Sequence, residues 1–377
     1  MPYCIRWPKD CTVLRKTDTD EEVTFLYDTS RYGTYINEEP IGNGNSRRLE
    51  NGDLISICDP KFFAFLYFEK ELPNQDFPSE LTDHFLVSNL LIGEGAMGKV
   101  YVGKRRTNTS VAVAIKAIPK QHISAVAEHN RSGSSTEVIR REAEIMLNVK
   151  HPNCVRMEHL CETETMAYIV MEYVAGGELF SRIVSPANKG CGLGESITKF
   201  YAWQLFGALE YLHKNGIVHR DIKAENVLLL ENEDYTVVKL TDFGLSKITN
   251  GQSMRTFCGT KCYMAPEQWK AEAYSCKVDI WALGAVIFIC MCGYPPFSAD
   301  YDDWPLDEQI MRGRLVFYKG WEKVSPFGRK ILRQCFRTEP EHRISATEAL
   351  ASEWFKDPIV EKARSVVQNH TVRFFCF

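Results

Sequence analysis

Between positions 219 and 226 the chain reads His219-Arg220-Asp221-Ile222-Lys223-Ala224-Glu225-Asn226. A carboxylate, an ammonium, a second carboxylate and a carboxamide are crowded into one short segment that follows an apolar, helix-patterned run over Glu195–His213. Phosphoryl transfer needs such groups together: a carboxylate near the attacking hydroxyl, a cation at the transferring phosphoryl group, and an oxygen ligand for Mg²⁺. Asp221, Lys223 and Asn226 offer them in that order. The alternative is a charged loop of no chemical use, and the rest of the chain decides between the two.

Upstream, an apolar strand runs into Ile92-Gly93-Glu94-Gly95-Ala96-Met97-Gly98-Lys99-Val100 and continues as strand through Val102. Glycines at such a turn let the backbone approach phosphates and present N–H groups where a side chain would collide. Dinucleotide-binding folds use the same spacing, but they need a helix after the glycines, and here a strand follows. Val113-Ala114-Ile115-Lys116 ends a further strand on a lysine. Glu142, on a helix-patterned stretch over Glu137–Val149, is placed to pair with Lys116 and aim it at the α- and β-phosphates. Thr241-Asp242-Phe243-Gly244 follows a short strand at Lys239-Leu240, and Asp242 offers hard oxygen to a Mg²⁺ bridging the β- and γ-phosphates. Ala265-Pro266-Glu267 closes the segment that begins there.

These motifs lie in a chain of 377 residues with net charge −4, which argues against an electrostatic grip on nucleic acid or an anionic membrane. The 13 Cys form no Cys-x-x-Cys pair, and several lie in apolar runs, so they read as reduced thiols of a cytosolic or nuclear protein. Ile280–Cys292 is the most apolar run and reads as a buried core helix, too short to span a bilayer. Four stretches near the start, Val23–Tyr27, Tyr35–Ile36, Asp53–Cys58 and Phe62–Phe68, read as strands. A linker is expected at 69–84, and helices dominate after Tyr173, so the fold expected is α+β, strands before helices.

In order and local setting, these motifs resemble a complete eukaryotic protein kinase domain over residues 85–355, followed by a tail over 356–377. The resemblance implies a bilobal fold, ATP and Mg²⁺ as cofactors, and protein substrates. It implies that Lys223, with Gly259-Thr260 before Tyr263, marks the Ser/Thr form. It makes Met171 the gatekeeper, Glu172, Tyr173 and Val174 the hinge that hydrogen-bonds adenine, Asp279 the anchor of the catalytic loop, and Arg343 the partner of Glu267. Nucleotide contacts extend to Glu178 and Glu225, which also resemble the acidic pair that receives an Arg upstream of the target hydroxyl. Ala224 stands where that motif usually has Pro.

The segment Ser253-Met254-Arg255-Thr256-Phe257-Cys258-Gly259-Thr260 resembles the activation loop of the checkpoint kinase 2 family. Thr256 and Thr260 are the phosphorylation candidates there, with Arg220 as the partner of a phosphate on Thr256. Asp28 to Asn37 and Leu49 to Asp53 resemble the second half of a forkhead-associated (FHA) domain, a β-sandwich whose loops bind phosphothreonine; residues 1–68 would be a partial one. The FHA Gly-Arg pair and Ser-x-x-His segment are not found, Tyr32 stands at the usual Asn, and no Ser-Gln or Thr-Gln dipeptide occurs. The resemblance implies a nuclear DNA-damage or meiotic checkpoint effector, otherwise a cytoplasmic kinase. It also implies phosphoprotein partners through the FHA-like part and a homodimer during trans-autophosphorylation. A calcium/calmodulin-dependent type of kinase is one alternative. A phosphopeptide-binding pseudokinase is another, and would require the loss of Lys116, Asp221, Asn226 or Asp242, all of which stand.

Overall fold

The β-branched and aromatic runs at the start of the chain pair into two small antiparallel sheets. The first has the order β1-β2-β5, from β1 (Cys11–Asp18), β2 (Glu21–Asp28) and β5 (Ser46–Arg48). The second has the order β4-β3-β6-β7, from β3 (Thr34–Ile36), β4 (Glu39–Pro40), β6 (Leu54–Ile57) and β7 (Phe63–Leu66). Leu26, Ile36, Leu49 and Ile55 form their buried core, with Ile41, Ile57, Phe65 and Tyr67 packed against it. Asp28, fully buried, accepts hydrogen bonds from Ser30 (N 2.9 Å, Oγ 2.6 Å) and from Thr34 (N 3.2 Å, Oγ1 2.9 Å). Burial alone would raise its carboxyl pKa; the Ser30 and Thr34 bonds outweigh that and hold it below the usual range.

The computed structural model describes residues 11–18, 21–50, 52–61, 63–67, 77–95, 98–121, 144, 146–188, 190–242, 260–270, 275–300 and 302–375. They fall into two units, one of residues 1–122 with 157–175, the other of residues 123–156 with 176–377. Inside the stretch expected as a linker, 69–84, the first unit forms a short helix α1 (Ser79–Thr82), whose Leu81 is fully buried. A five-stranded antiparallel sheet follows, order β11-β12-β10-β9-β8, from β8 (Phe85–Gly95), β9 (Gly98–Arg105), β10 (Ala112–Pro119), β11 (Met157–Glu162) and β12 (Met166–Glu172). Alternate residues Val113, Ile115 and Ala117 join Leu81, Phe85, Val87 and Val170 in its core. Phe77, inside the expected linker, packs its ring on Tyr101 and Tyr168 at 5.4 and 5.7 Å.

The second unit is helical, as the loss of period-two patterning after Tyr173 predicts. It holds α2 (Leu179–Ile183), α3 (Gly194–Lys214), the ribbon of β13 (Val227–Leu229) and β14 (Val238–Leu240), and α4 (Pro266–Trp269). There follow α5 (Lys277–Cys292), α6 (Leu306–Arg312), α7 (Pro326–Cys335), α8 (Ala346–Leu350) and α9 (Pro358–Phe375). Every residue of α5 from Val278 to Cys292 is buried, the signature of a helix surrounded on all sides. Gly284 admits α7 at close range: a Cβ there would lie 2.8 Å from Cβ of Cys335. The tail expected after Phe355 carries α9, whose buried Val360, Ala363 and Val367 belong to a helix packed along α3.

Cys154, Cys161, Cys262, Cys290, Cys292 and Cys335 are buried thiols, while Cys58 and Cys191 are exposed. Burial pushes the thiols of Cys262 and Cys335 up to about 12, the inert regime for such groups. Among the described residues no helix is long and apolar enough to cross a membrane.

Candidate active site

In the first unit, β8 and β9 form a hairpin whose register sets Gly93 opposite Val100, Glu94 opposite Lys99 and Gly95 opposite Gly98. Ile92 is exposed, and the glycine-bearing end of the hairpin is thus built of strand, as the residues after the glycines imply. Gly98 has φ +139°, and a Cβ there would sit 2.0 Å from the Ala117 carbonyl oxygen, so only glycine lets β9 pass β10 this closely. Lys116, on β10, lies opposite Val100 of β9 and Ile169 of β12, and is 7% exposed. Met171 and Glu172 end β12 opposite Ala114 and Val113, and Tyr173 and Val174 continue from them.

In the second unit the catalytic-loop residues converge on a hydrogen-bonded frame. Asp279 on α5, fully buried, accepts N–H bonds from His219 (Oδ2, 2.9 Å) and Arg220 (Oδ1, 2.8 Å), and lies 2.9 Å from Nε2 of His213. Those bonds pin the loop where Arg220 takes the left-handed φ of +70°. His219 Nδ1 accepts the Asp221 N–H at 3.3 Å, which puts the ring proton on Nε2, 3.0 Å from the Thr241 carbonyl. One imidazole therefore ties the loop to the residue before Asp242, which itself has φ +63°.

The Asp221 carboxylate, 7% exposed, receives Lys223 Nζ at 3.0 Å and the Asn226 amide nitrogen at 3.0 Å through the same oxygen, Oδ2. Asn226 Nδ2 also bonds the Asp221 carbonyl at 2.7 Å. Both donated bonds use the amide nitrogen, so the amide oxygen is left without a hydrogen bond among the described residues. A hard oxygen of that kind, with the carboxylate of Asp242, fits the donor set that Mg²⁺ prefers.

Glu178, at the start of α2, has its backbone bridged to Leu228 beside the catalytic loop. What burial it has raises its carboxyl pKa, the negative charge of Glu225 raises it further, and Lys223 opposes both. Glu225 Oε2 is itself buried with no hydrogen-bond partner among the described residues. The nearby cation, Lys223, is held on Asp221, so a further cation would suit such a pair. Glu267 and Arg343 form a bidentate pair at 2.7 and 3.0 Å, both side chains buried, and Arg343 also reaches the Lys277 carbonyl at 2.8 Å.

Ala96, Met97, Glu142 and Thr256 lie outside the described residues, and of Thr260 only the backbone is described, in a 3-10 turn over Thr260–Tyr263. The sequence reading missed Asn153 and Gln204. Asn153 Nδ2 donates to Gln204 Oε1 and to the Val238 carbonyl, both at 2.8 Å, and Gln204 Nε2 donates to the Thr236 carbonyl at 3.2 Å. That buried relay seats the β13–β14 ribbon on α3; two amides 51 residues apart leave no local signal to find. The glutamine in the apolar pattern of α3 was the one available hint.

The protein kinase domain family matches residues 86–355, and the FHA domain family matches residues 9–58. Serine/threonine-protein kinase chk-2 of Caenorhabditis elegans is 41% identical over 341 residues, spanning 90% of this chain and 70% of that protein. The ovarian-specific serine/threonine-protein kinase Lok of Drosophila melanogaster is 39% identical over 353 residues, spanning 91% and 72%. Calcium/calmodulin-dependent protein kinase type 1B of Homo sapiens is 34% identical over 264 residues, and spans only 70% of this chain. Among solved structures, that of Rad53 1-466 in complex with AMP-PNP has a TM-score of 0.61 at 29% identity, covering 88% of this chain and 82% of that one.

Proposed function

The chain belongs to the protein kinase family, in its FHA-bearing checkpoint kinase 2 branch, and is a protein serine/threonine kinase; on that premise we propose the roles its residues play and the substrates it takes. Asp221 is the general base, taking the proton of the substrate hydroxyl as the hydroxyl oxygen bonds to the γ-phosphorus and the bond from the γ-phosphorus to the β,γ-bridging oxygen breaks, with ADP as the leaving group. Lys223, already held on Asp221 at 3.0 Å, balances charge at the transferring phosphoryl group. Gly93, Glu94, Gly95, Ala96, Met97 and Gly98 cover the phosphates, with Ile92 and Val100 flanking the base. Lys116, aligned by Glu142, holds the α- and β-phosphates. Met171 to Val174 receive the adenine. Asn226 and Asp242 would hold Mg²⁺, which when bound neutralises charge building on the β- and γ-phosphate oxygens.

The reading of substrate class rests on one observation, the buried carboxylate oxygen of Glu225 beside Glu178, unpartnered among the described residues. An Arg three residues before the target Ser or Thr supplies the further cation. We further propose that phosphorylation of Thr256, by an upstream kinase or by a second copy of the chain, engages Arg220 and activates the enzyme. The FHA domain recruits phosphothreonine partners, and the checkpoint role places the protein in the nucleus.

A phosphotransfer assay on paired peptides, with Arg or Ala three residues before the Ser, tests this. Asp221→Asn should lower kcat by about a hundredfold or more, the usual worth of a positioned base. Glu225→Gln should lower kcat/KM on the Arg peptide by about tenfold or more and leave the Ala peptide nearly unchanged. Equal use of both peptides by the wild-type protein would remove the Arg-directed reading.

A further inference from the structure

Lys104, on β9, is 1% exposed, and no carboxylate pairs with it among the described residues. An ammonium buried without a counter-charge is unfavourable unless protein dipoles solvate it, and burial does lower its pKa. The dipoles come from the FHA domain: Lys104 Nζ donates to the Phe63 carbonyl at 2.8 Å and to the Ala64 carbonyl at 3.3 Å, both on β7. This fastens the edge of the second FHA sheet to the kinase sheet within a single unit.

The seat has an apolar half. Leu54 and Phe63 of the FHA domain and Val102 of β9 form one buried cluster, with Leu66, Leu90 and Tyr173 packed against it. The Phe63 ring lies 5.4 Å from that of Tyr173 at an interplanar angle of 47°. The Tyr173 phenol also feels the charges of Glu38 and Asp59, both FHA residues, which with burial raise its pKa. The FHA domain thus meets the kinase at the middle residue of the Glu172–Val174 hinge.

We propose that Phe63 and Lys104 are positioning residues for ATP: by seating the FHA sheet on the kinase sheet they hold Tyr173, and through it the hinge backbone, in the conformation that receives adenine. The proposal rests on the reading of Glu172–Val174 as that hinge. Loosening the seat then weakens nucleotide binding with little effect on the chemical step, in which neither residue is given a part.

The test uses the full chain and separates KM for ATP from kcat and from KM for the peptide. In Phe63→Ala the KM for ATP should rise about fivefold, with kcat within about twofold, the pattern of a binding contribution lost equally from ground and transition states. Lys104→Met, which keeps the apolar stem and removes the two carbonyl bonds, should move KM for ATP the same way by a smaller factor. Phe63→Leu should recover part of the loss. A lowered kcat at unchanged KM for ATP would mean only that a fraction of molecules has unfolded, and overturns the proposal, as does no change in either variant. Met171→Gly tests the hinge reading separately, since it should confer use of an ATP analogue bulky at N6. If it does, and KM for ATP does not move in Phe63→Ala and Lys104→Met, the positioning role alone is wrong. If it does not, the hinge reading fails and the proposal falls with it.

Discussion

His151 shows what a single half-buried side chain does to the protein at large. Its Nδ1 accepts the Asn153 N–H at 3.1 Å, and its ring lies 5.2 Å from that of Tyr211. Burial pushes its pKa down to about 4, and the nearby charge of Lys239 adds to the fall. The unfolded chain takes up a proton near pH 6.5 that the folded chain refuses until about pH 4. Stability is therefore unaffected by this residue above pH 6.5 and declines as the pH falls from there to about 4, by about 3 kcal/mol. Urea midpoints followed by circular dichroism should show that decline, and His151→Gln should flatten it. At this scale the chemistry was easier to read than the scaffolding. Asp221, Lys223 and Asn226 stand within one loop, and their spacing, read with the motifs on either side, points to them. The Asn153–Gln204 relay joins residues distant in the chain, and an asparagine after His-Pro looks like any turn.

The β8–β9 hairpin makes the element-scale case. Its glycines belong to one motif, yet their surroundings differ: a Cβ built on Gly98, at φ +139°, would lie 2.0 Å from the Ala117 carbonyl oxygen, while nothing lies within 4 Å of a Cβ at Gly95. Gly98→Ala should destabilise the first unit by about 1–3 kcal/mol, through overpacking and a disfavoured dihedral, and Gly95→Ala by much less. Thermal unfolding of the two variants side by side checks this; equal midpoints would contradict the close approach of β9 to β10. The sequence reading found this hairpin because apolar residues alternate along it. It missed β5, whose residues are all exposed, and β1, where apolar side chains do not alternate cleanly. It also passed over α9: Val360, Ala363 and Val367 recur at helical spacing, but polar residues between them dilute the signal.

At the scale of the molecule, composition and motif order drew a boundary between an FHA-like part and a kinase domain. The packing draws its line elsewhere, within the kinase domain, and joins the first kinase sheet to the FHA sheets. The sequence hid this because the bond that joins them runs from a lysine to backbone carbonyls, and carbonyls have no letter of their own. The thiols inherit the same division. Cys161 is buried in the first unit, and Cys154, Cys290, Cys292 and Cys335 in the second, while Cys58 and Cys191 face water. Each core therefore carries its own chemical tally of opening. A maleimide pulse across rising urea, read by peptide mass spectrometry, should mark Cys58 and Cys191 at once, and Cys154, Cys161, Cys290, Cys292 and Cys335 only as their own unit opens. Alkylation of Cys290 in native buffer as fast as Cys58 would contradict the buried α5. Otherwise the urea at which Cys161 and Cys290 become reactive states, without any engineered residue, which half of the enzyme lets go first.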